Sequence, residues 1–160
     1  MNYQKLQADI LKEMYKNPIY PKRKIVGIAK YKELIAVITQ TSIYFIPRIL
    51  FYLDYEKIVE ATKEFTGTLD KMIDFKDLKP ATKTDQIKEI PGAGSKKGIV
   101  NIFKVEDMEV YIDKKLISYY EDDWKYTYKG INYKNPILIY NDNEEIAGVI
   151  LPVNPNFINK

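Results

Sequence analysis

Three neighbouring stretches of β-branched and aromatic residues constrain the fold of this chain most strongly. In chain order they are Ile25–Tyr31, Leu34–Thr39 and Ser42–Ile46, separated by Lys32-Glu33 and Gln40-Thr41. Residues of these types favour strands, and polar turns of this length join antiparallel neighbours. The pattern therefore predicts an antiparallel meander. Pro47 ends it, because proline cannot donate to a ladder of backbone hydrogen bonds.

An amphipathic helix is predicted before the meander, over residues 3–16. Its apolar residues recur at helical spacing and are Tyr3, Leu6, Ile10, Leu11 and Met14. The lysines and Glu13 fall on other faces. Asn17-Pro18 ends the helix, since the residue before proline avoids the helical region.

The last third of the chain predicts two hairpins with a short helix between them. Ile99–Val105 and Met108–Ile112 alternate around Glu106-Asp107, and Asp113 is a suitable N-cap for a helix over Lys114–Tyr120. A short strand over Lys125–Lys129 follows. The second hairpin comprises Ile137–Tyr140, the polar turn 141–145 and Ile146–Val153.

The middle of the chain carries weaker signals. Ile49–Tyr55 is apolar, and its periodicity leaves strand and helix both open. We predict a strand over Thr68–Phe75, a helical turn over Asp74–Lys83 that breaks at Pro80, and a Gly-rich loop over 91–98.

These elements predict an α+β fold, mostly antiparallel sheet with an N-terminal amphipathic helix and a second short helix. The length of 160 residues fits a single domain over 1–160. A plan of helix followed by strands occurs twice, near 3–46 and 113–153. It is a pseudo-repeat of architecture without clear sequence similarity.

Composition limits the chemistry, because the sequence has no cysteine and no histidine. Thiolate metal sites, Cys nucleophiles, serine triads and His-metal centres are therefore excluded. The loop Gly94-Ser95-Lys96-Lys97-Gly98 lacks the spacing and the terminal hydroxyl of a phosphate-binding loop. We expect no cofactor and no metal.

Acidic residues form three clusters that could serve carboxylate-only chemistry. They are Glu106, Asp107 and Glu109, then Glu121, Asp122 and Asp123, and finally Asp142, Glu144 and Glu145. Two carboxylates can act as acid and base or hold Mg²⁺. Each cluster falls in a predicted turn or helix end, however, where solvated carboxylates are ordinary.

Basic residues near the N-terminus form a candidate nucleic-acid contact. Lys5, Lys12 and Lys16 share a helix face, and Lys22, Arg23 and Lys24 continue it. A net charge of +3 with two arginines is too modest for specific DNA recognition, so any DNA contact would be nonspecific. A solvated helix face is the alternative interpretation.

Apolar and aromatic residues give expectations for the core and for a partner contact. We expect Ile43–Ile46 and Leu50–Leu53 to lie in the core. Trp124 lies among acidic residues and could either anchor a partner or pack on the sheet. The N-terminus lacks the layout of a signal peptide, and no apolar run reaches the ~20 residues of a membrane span. We therefore expect a cytoplasmic protein with no membrane contact.

Both ends of the chain resemble bacterial DNA sliding-clamp subunits. Ile137–Tyr140 followed by Glu145–Val153 looks like the closing hairpin of a clamp domain. The opening helix with Leu6, Ile10 and Leu11, and the later Ser42-Ile43-Tyr44, are similar in plan. Small proteins of clostridial phages and mobile elements also look similar. The resemblance implies one clamp-like domain, whereas a processivity ring needs several.

The same resemblance suggests a further binding surface. In clamps the last apolar strand helps to form a peptide-binding groove, which makes Ile150, Leu151, Pro152 and Val153 candidates for binding a protein partner. An ordinary core or edge strand is the alternative interpretation.

The expected function is therefore non-catalytic binding. We expect a phage or mobile-element accessory protein that binds a host or phage protein of the replication or defence machinery. The alternative is a nonspecific DNA-associated clamp-like module that self-assembles, and a homo-oligomer is left open. A carboxylate-only, metal-dependent enzyme is the third alternative.

Overall fold

The computed structural model describes residues 1–16, 25–53, 69–71, 73, 77–91, 97–130 and 135–158, with the backbone alone for 13–16 and 25–26. The chain divides into two compact units, Met1–Asp74 and Phe75–Lys160, and each is described by itself. The expectation of a single domain stays a prediction.

The first unit begins with helix α1, Tyr3–Lys16, which has the predicted bounds. Asn2 caps it, because its Oδ1 accepts a hydrogen bond from the Lys5 N–H at 2.9 Å. Leu6 and Ile10 are buried, as the apolar periodicity predicts. Gln7 is a polar residue on this buried side and is also fully buried.

The predicted meander is confirmed as strands β1 (Ile25–Tyr31), β2 (Leu34–Thr39) and β3 (Ser42–Pro47). Both pairings are antiparallel, with Tyr31 opposite Leu34 and Leu34 opposite Pro47. The turn between β2 and β3 is held by Thr39, whose hydroxyl oxygen accepts hydrogen bonds from the N–H groups of Thr41 and Ser42. Nearly every residue of β2 and β3 is buried, so this part of the chain supplies much of the core.

A 3₁₀ turn over Arg48–Leu50 follows β3 directly, and Phe51 returns to extended backbone. For Ile49–Tyr55 the sequence left strand and helix both open. In the described residues 49–53, the structure shows the end of a 3₁₀ turn followed by extended backbone. Residues 69–71 and 73 are helical, so the strand predicted over Thr68–Phe75 is wrong in its described part.

The second unit contains an antiparallel three-stranded sheet of β5 (Thr82–Pro91), β6 (Lys97–Val105) and β7 (Met108–Asp113), in that order. The predicted β6–β7 hairpin is confirmed. The helical turn predicted over Asp74–Lys83 is wrong in its described part, because Thr82 and Lys83 belong to β5. The predicted 91–98 loop is also too long, since Pro91, Lys97 and Gly98 are strand residues and 92–96 lie outside the described residues.

A short helix α2, Lys114–Ile117, follows β7. The predicted cap is confirmed, because the Asp113 side chain accepts a hydrogen bond from the Lys115 N–H at 2.8 Å. The helix ends at Ile117 and not at the predicted Tyr120. The Ser118 hydroxyl donates to the Lys115 carbonyl at 2.8 Å, within this C-terminal turn.

Four further strands of this unit are β4 (Lys79–Pro80), β8 (Lys125–Tyr128), β9 (Ile137–Tyr140) and β10 (Ile146–Ile150). They pair antiparallel in the order β10-β9-β8-β4. The predicted closing hairpin is confirmed, although β10 ends at Ile150 and not at Val153. Its turn is ordered by Asn141, whose Oδ1 accepts from the N–H groups of Asn143 and Glu145.

The fold is therefore α+β with antiparallel sheets and an N-terminal helix, as the sequence predicts. Along the chain, α2 precedes β8–β10 as α1 precedes β1–β3. None of the helices in the described ranges is both long and apolar enough to span a bilayer.

Candidate functional site: an exposed apolar turn

In the described part of the first unit, several large apolar side chains are exposed within the segment Arg48–Tyr52, here named the 48–52 turn. Ile49 is 92% exposed, Tyr52 is 53% exposed and Leu50 is 46% exposed. The next residue, Leu53, is buried. Single exposed apolar residues are ordinary, but three within four consecutive positions form a patch.

The way β3 ends produces this turn. Pro47 is the last strand residue, and the Arg48 N–H donates to the Glu33 carbonyl at 3.1 Å. The chain then tightens into the 3₁₀ turn, where the Phe51 N–H donates to the Arg48 carbonyl at 3.3 Å. One backbone hydrogen bond thus fixes the start of the turn and another closes it.

Gln7 fixes the far side of the turn from within α1. Its Nε2 donates to the Leu50 carbonyl at 2.9 Å and to the Tyr3 carbonyl at 3.2 Å. Its Oε1 accepts from the Tyr52 N–H at 2.9 Å. The Tyr52 hydroxyl also donates to the Gln4 carbonyl at 3.0 Å. The backbone of the turn is therefore held on both sides, while Ile49 and Leu50 project into solvent.

Charged residues flank the turn. Arg48 is exposed, as are Lys32 and Glu33 in the β1–β2 turn, which the Arg48–Glu33 hydrogen bond places beside it. Arg48 and Lys32 are basic and Glu33 is acidic, and Lys32 Nζ lies over the Tyr31 ring at 5.4 Å from its centroid.

The sequence did not predict this site, because Leu50–Leu53 was expected in the core. That expectation is confirmed for Leu53 and wrong for Leu50 and Tyr52, whereas Ile43–Ile46 is buried as expected. The signal that could have identified the turn is Pro47-Arg48. Proline cannot donate to the ladder of backbone hydrogen bonds, so the apolar residues after it need not continue the strand into the core.

The structure describes only some of the basic residues that are predicted to contact nucleic acid. Lys5 and Lys12 are both exposed on α1. The side chain of Lys16 and the residues Lys22, Arg23 and Lys24 lie outside the described residues. The basic stripe therefore stays a prediction.

The predicted partner-binding residues do not share one exposed face. Ile150 is fully buried in β10, so it cannot contact a partner in this structure, and the surface at this end begins with Leu151. Pro152 and Val153 are half-buried, and the Val153 N–H donates to the Tyr111 carbonyl at 2.8 Å, which attaches the segment to β7. Trp124 is half-buried, with its ring centroid 6.2 Å from that of Tyr120.

The acidic clusters are paired with lysines in the second unit. Glu106 binds Lys79 at 2.5 Å, Asp122 binds Lys83, and Glu144 lies 3.7 Å from Lys125. Each of these carboxylates lies on the surface, where such pairs are worth ~0–1 kcal/mol. Within the described ranges, no three or more acidic residues are grouped so that they could hold a metal ion.

Glu109 belongs to a small network with Tyr111 and Lys88. The Tyr111 hydroxyl donates to Glu109 Oε2 at 2.7 Å, and Lys88 Nζ lies 3.7 Å from the same oxygen. The hydroxyl, and to a lesser degree the charge of Lys88, lower the pKa of Glu109 below its usual value of 4.5. The network stabilises the ionised carboxylate and links β5 to β7 across the face of the sheet.

Comparisons with protein-family models, with characterised proteins and with solved structures find no significant match.

Proposed function

We propose that this protein is a non-catalytic binding protein of the cytoplasm that contacts a protein partner through the 48–52 turn. The observation that supports the proposal is an exposed apolar turn whose backbone is fixed by a buried glutamine. Leaving large apolar side chains in water costs about 25 cal/mol per Å² of surface that burial would remove. A partner that covers Ile49 and Leu50 recovers this free energy.

The fixed backbone strengthens the proposal. Binding usually costs free energy because loops and side chains lose conformational freedom at the interface. Here the hydrogen bonds of Gln7 and the 3₁₀ closure already order the turn before any partner arrives. The turn is thus a preorganised contact, as expected of a binding surface.

The biological setting of the proposal rests on the resemblance at the two ends of the chain. That resemblance to sliding clamps and to small clostridial phage proteins supports a phage or mobile-element accessory protein. Its partner would then be a host or phage protein of replication or defence.

A second candidate function is nonspecific DNA association by a self-assembling clamp-like module. It is favoured by the exposure of Lys5 and Lys12 seven residues apart on α1. Binding to duplex DNA should then weaken steeply with salt, and a Lys5→Gln/Lys12→Gln variant should reduce the salt slope. Affinity that is independent of salt, or unchanged in this variant, would contradict it.

The primary proposal is tested by a photo-crosslinking amino acid placed at position 49 in bacterial cells. The matched control carries it at Asp107, an exposed residue in the β6–β7 turn. We expect one defined protein adduct at position 49 that is absent at position 107. The protein identified must then bind the purified wild-type chain and lose binding to Ile49→Ser.

An adduct protein that binds Ile49→Ser as well as wild type would refute the contact. So would adducts that are the same at both positions. Ile49→Ser should leave the melting temperature unchanged, because surface substitutions usually alter stability by less than about 0.5 kcal/mol. A loss of binding would therefore report the contact and not unfolding.

A further inference from the structure

We draw no further inference here: the strongest candidate, the exposed apolar 48–52 turn that follows strand β3, carries nothing beyond the proposed contact, because nothing in the described part of the chain shows what covers it.

Discussion

The Gln7 side chain binds the backbone of Tyr52, 45 residues further along the chain, through a hydrogen bond of 2.9 Å from the Tyr52 N–H to Oε1. Its Nε2 donates to the carbonyl of Leu50, two residues earlier. One amide thus satisfies a donor and an acceptor of the same segment, as a neighbouring strand would. This relationship places the exposed side chains of the 48–52 turn on a rigid backbone.

Replacing Gln7 with alanine should destabilise the first unit. The Leu50 carbonyl and the Tyr52 N–H would lose their partner in a partly buried environment, at a cost of about 1–3 kcal/mol. Urea unfolding measures this loss, and amide hydrogen exchange should show faster exchange at Tyr52. Gln4→Ala is the matched control, because the Tyr52 hydroxyl donates to the main-chain carbonyl of Gln4, which alanine keeps. Equal stability of the two variants would contradict this role of Gln7.

The sequence predicted the parts of the fold in which periodicity and burial agree. The first helix follows from apolar residues with a period of 3.6, and the β6–β7 hairpin follows from alternation. The meander and the closing hairpin follow from apolar runs, rich in β-branched and aromatic residues, that are separated by polar turns. The sequence also predicted a polar contact between residues that are near neighbours in the chain. The Asp113 cap at the start of α2 is the clearest example.

Strand β5 could not be predicted, because its residues carry no such pattern. Most of Thr82–Pro91 is exposed or half-buried, and its side chains are mainly polar and charged. It pairs with β6, the next strand along the chain, and the register of this pairing is irregular between Lys83 and Ile87. The candidate site was missed for a similar reason, since Gln7 and the 48–52 turn meet only in the folded chain.

Gly148→Ala should lower the free energy of unfolding of the second unit by about 1–3 kcal/mol, the usual cost of overpacking. A Cβ at this position would lie 2.0 Å from the Tyr120 hydroxyl oxygen and 2.6 Å from its Cζ. Tyr120 is buried, so its ring has little room to move away from the added methyl group. Thermal or urea unfolding of the purified variant measures the effect.

A double-mutant cycle with Tyr120→Leu identifies the cause. Removing the phenol should make Gly148→Ala less costly than it is in the wild-type background, because contacting residues are not additive. The same cost in both backgrounds would show that the Tyr120 ring is not what excludes a side chain at position 148.

Glu109→Gln should make the protein less sensitive to acid. The Tyr111 hydroxyl and then Lys88 lower the pKa of the folded-state carboxyl below 4.5. The stabilisation by ionised Glu109 is therefore present above pH 4.5 and is lost as the pH falls through the lowered pKa. Unfolding measured across this range should show a shallower decline for Glu109→Gln than for wild type.

Asp85→Asn is the matched control for the loss of one negative charge, since Asp85 is an exposed carboxylate on β5. NMR titration of the Glu109 carboxyl provides a direct check, and Tyr111→Phe should return its pKa toward the usual value. A pKa that does not rise in Tyr111→Phe would contradict the role of the hydroxyl.

Thr127→Val should leave stability unchanged or raise it by up to ~1 kcal/mol. Thr127 is buried in β8, and its hydroxyl has no hydrogen-bond partner among the described residues. A buried hydroxyl without a partner retains its desolvation cost, and valine has the same shape without that polar atom.

Thr127→Ser is the matched control, because it keeps the hydroxyl and removes the methyl group. This removal should cost about 0.5–1.5 kcal/mol, as other buried methyl deletions do. Urea unfolding should therefore rank the three proteins with valine at or above wild type and serine below it. A valine variant less stable than the serine variant would show that the hydroxyl stabilises the fold.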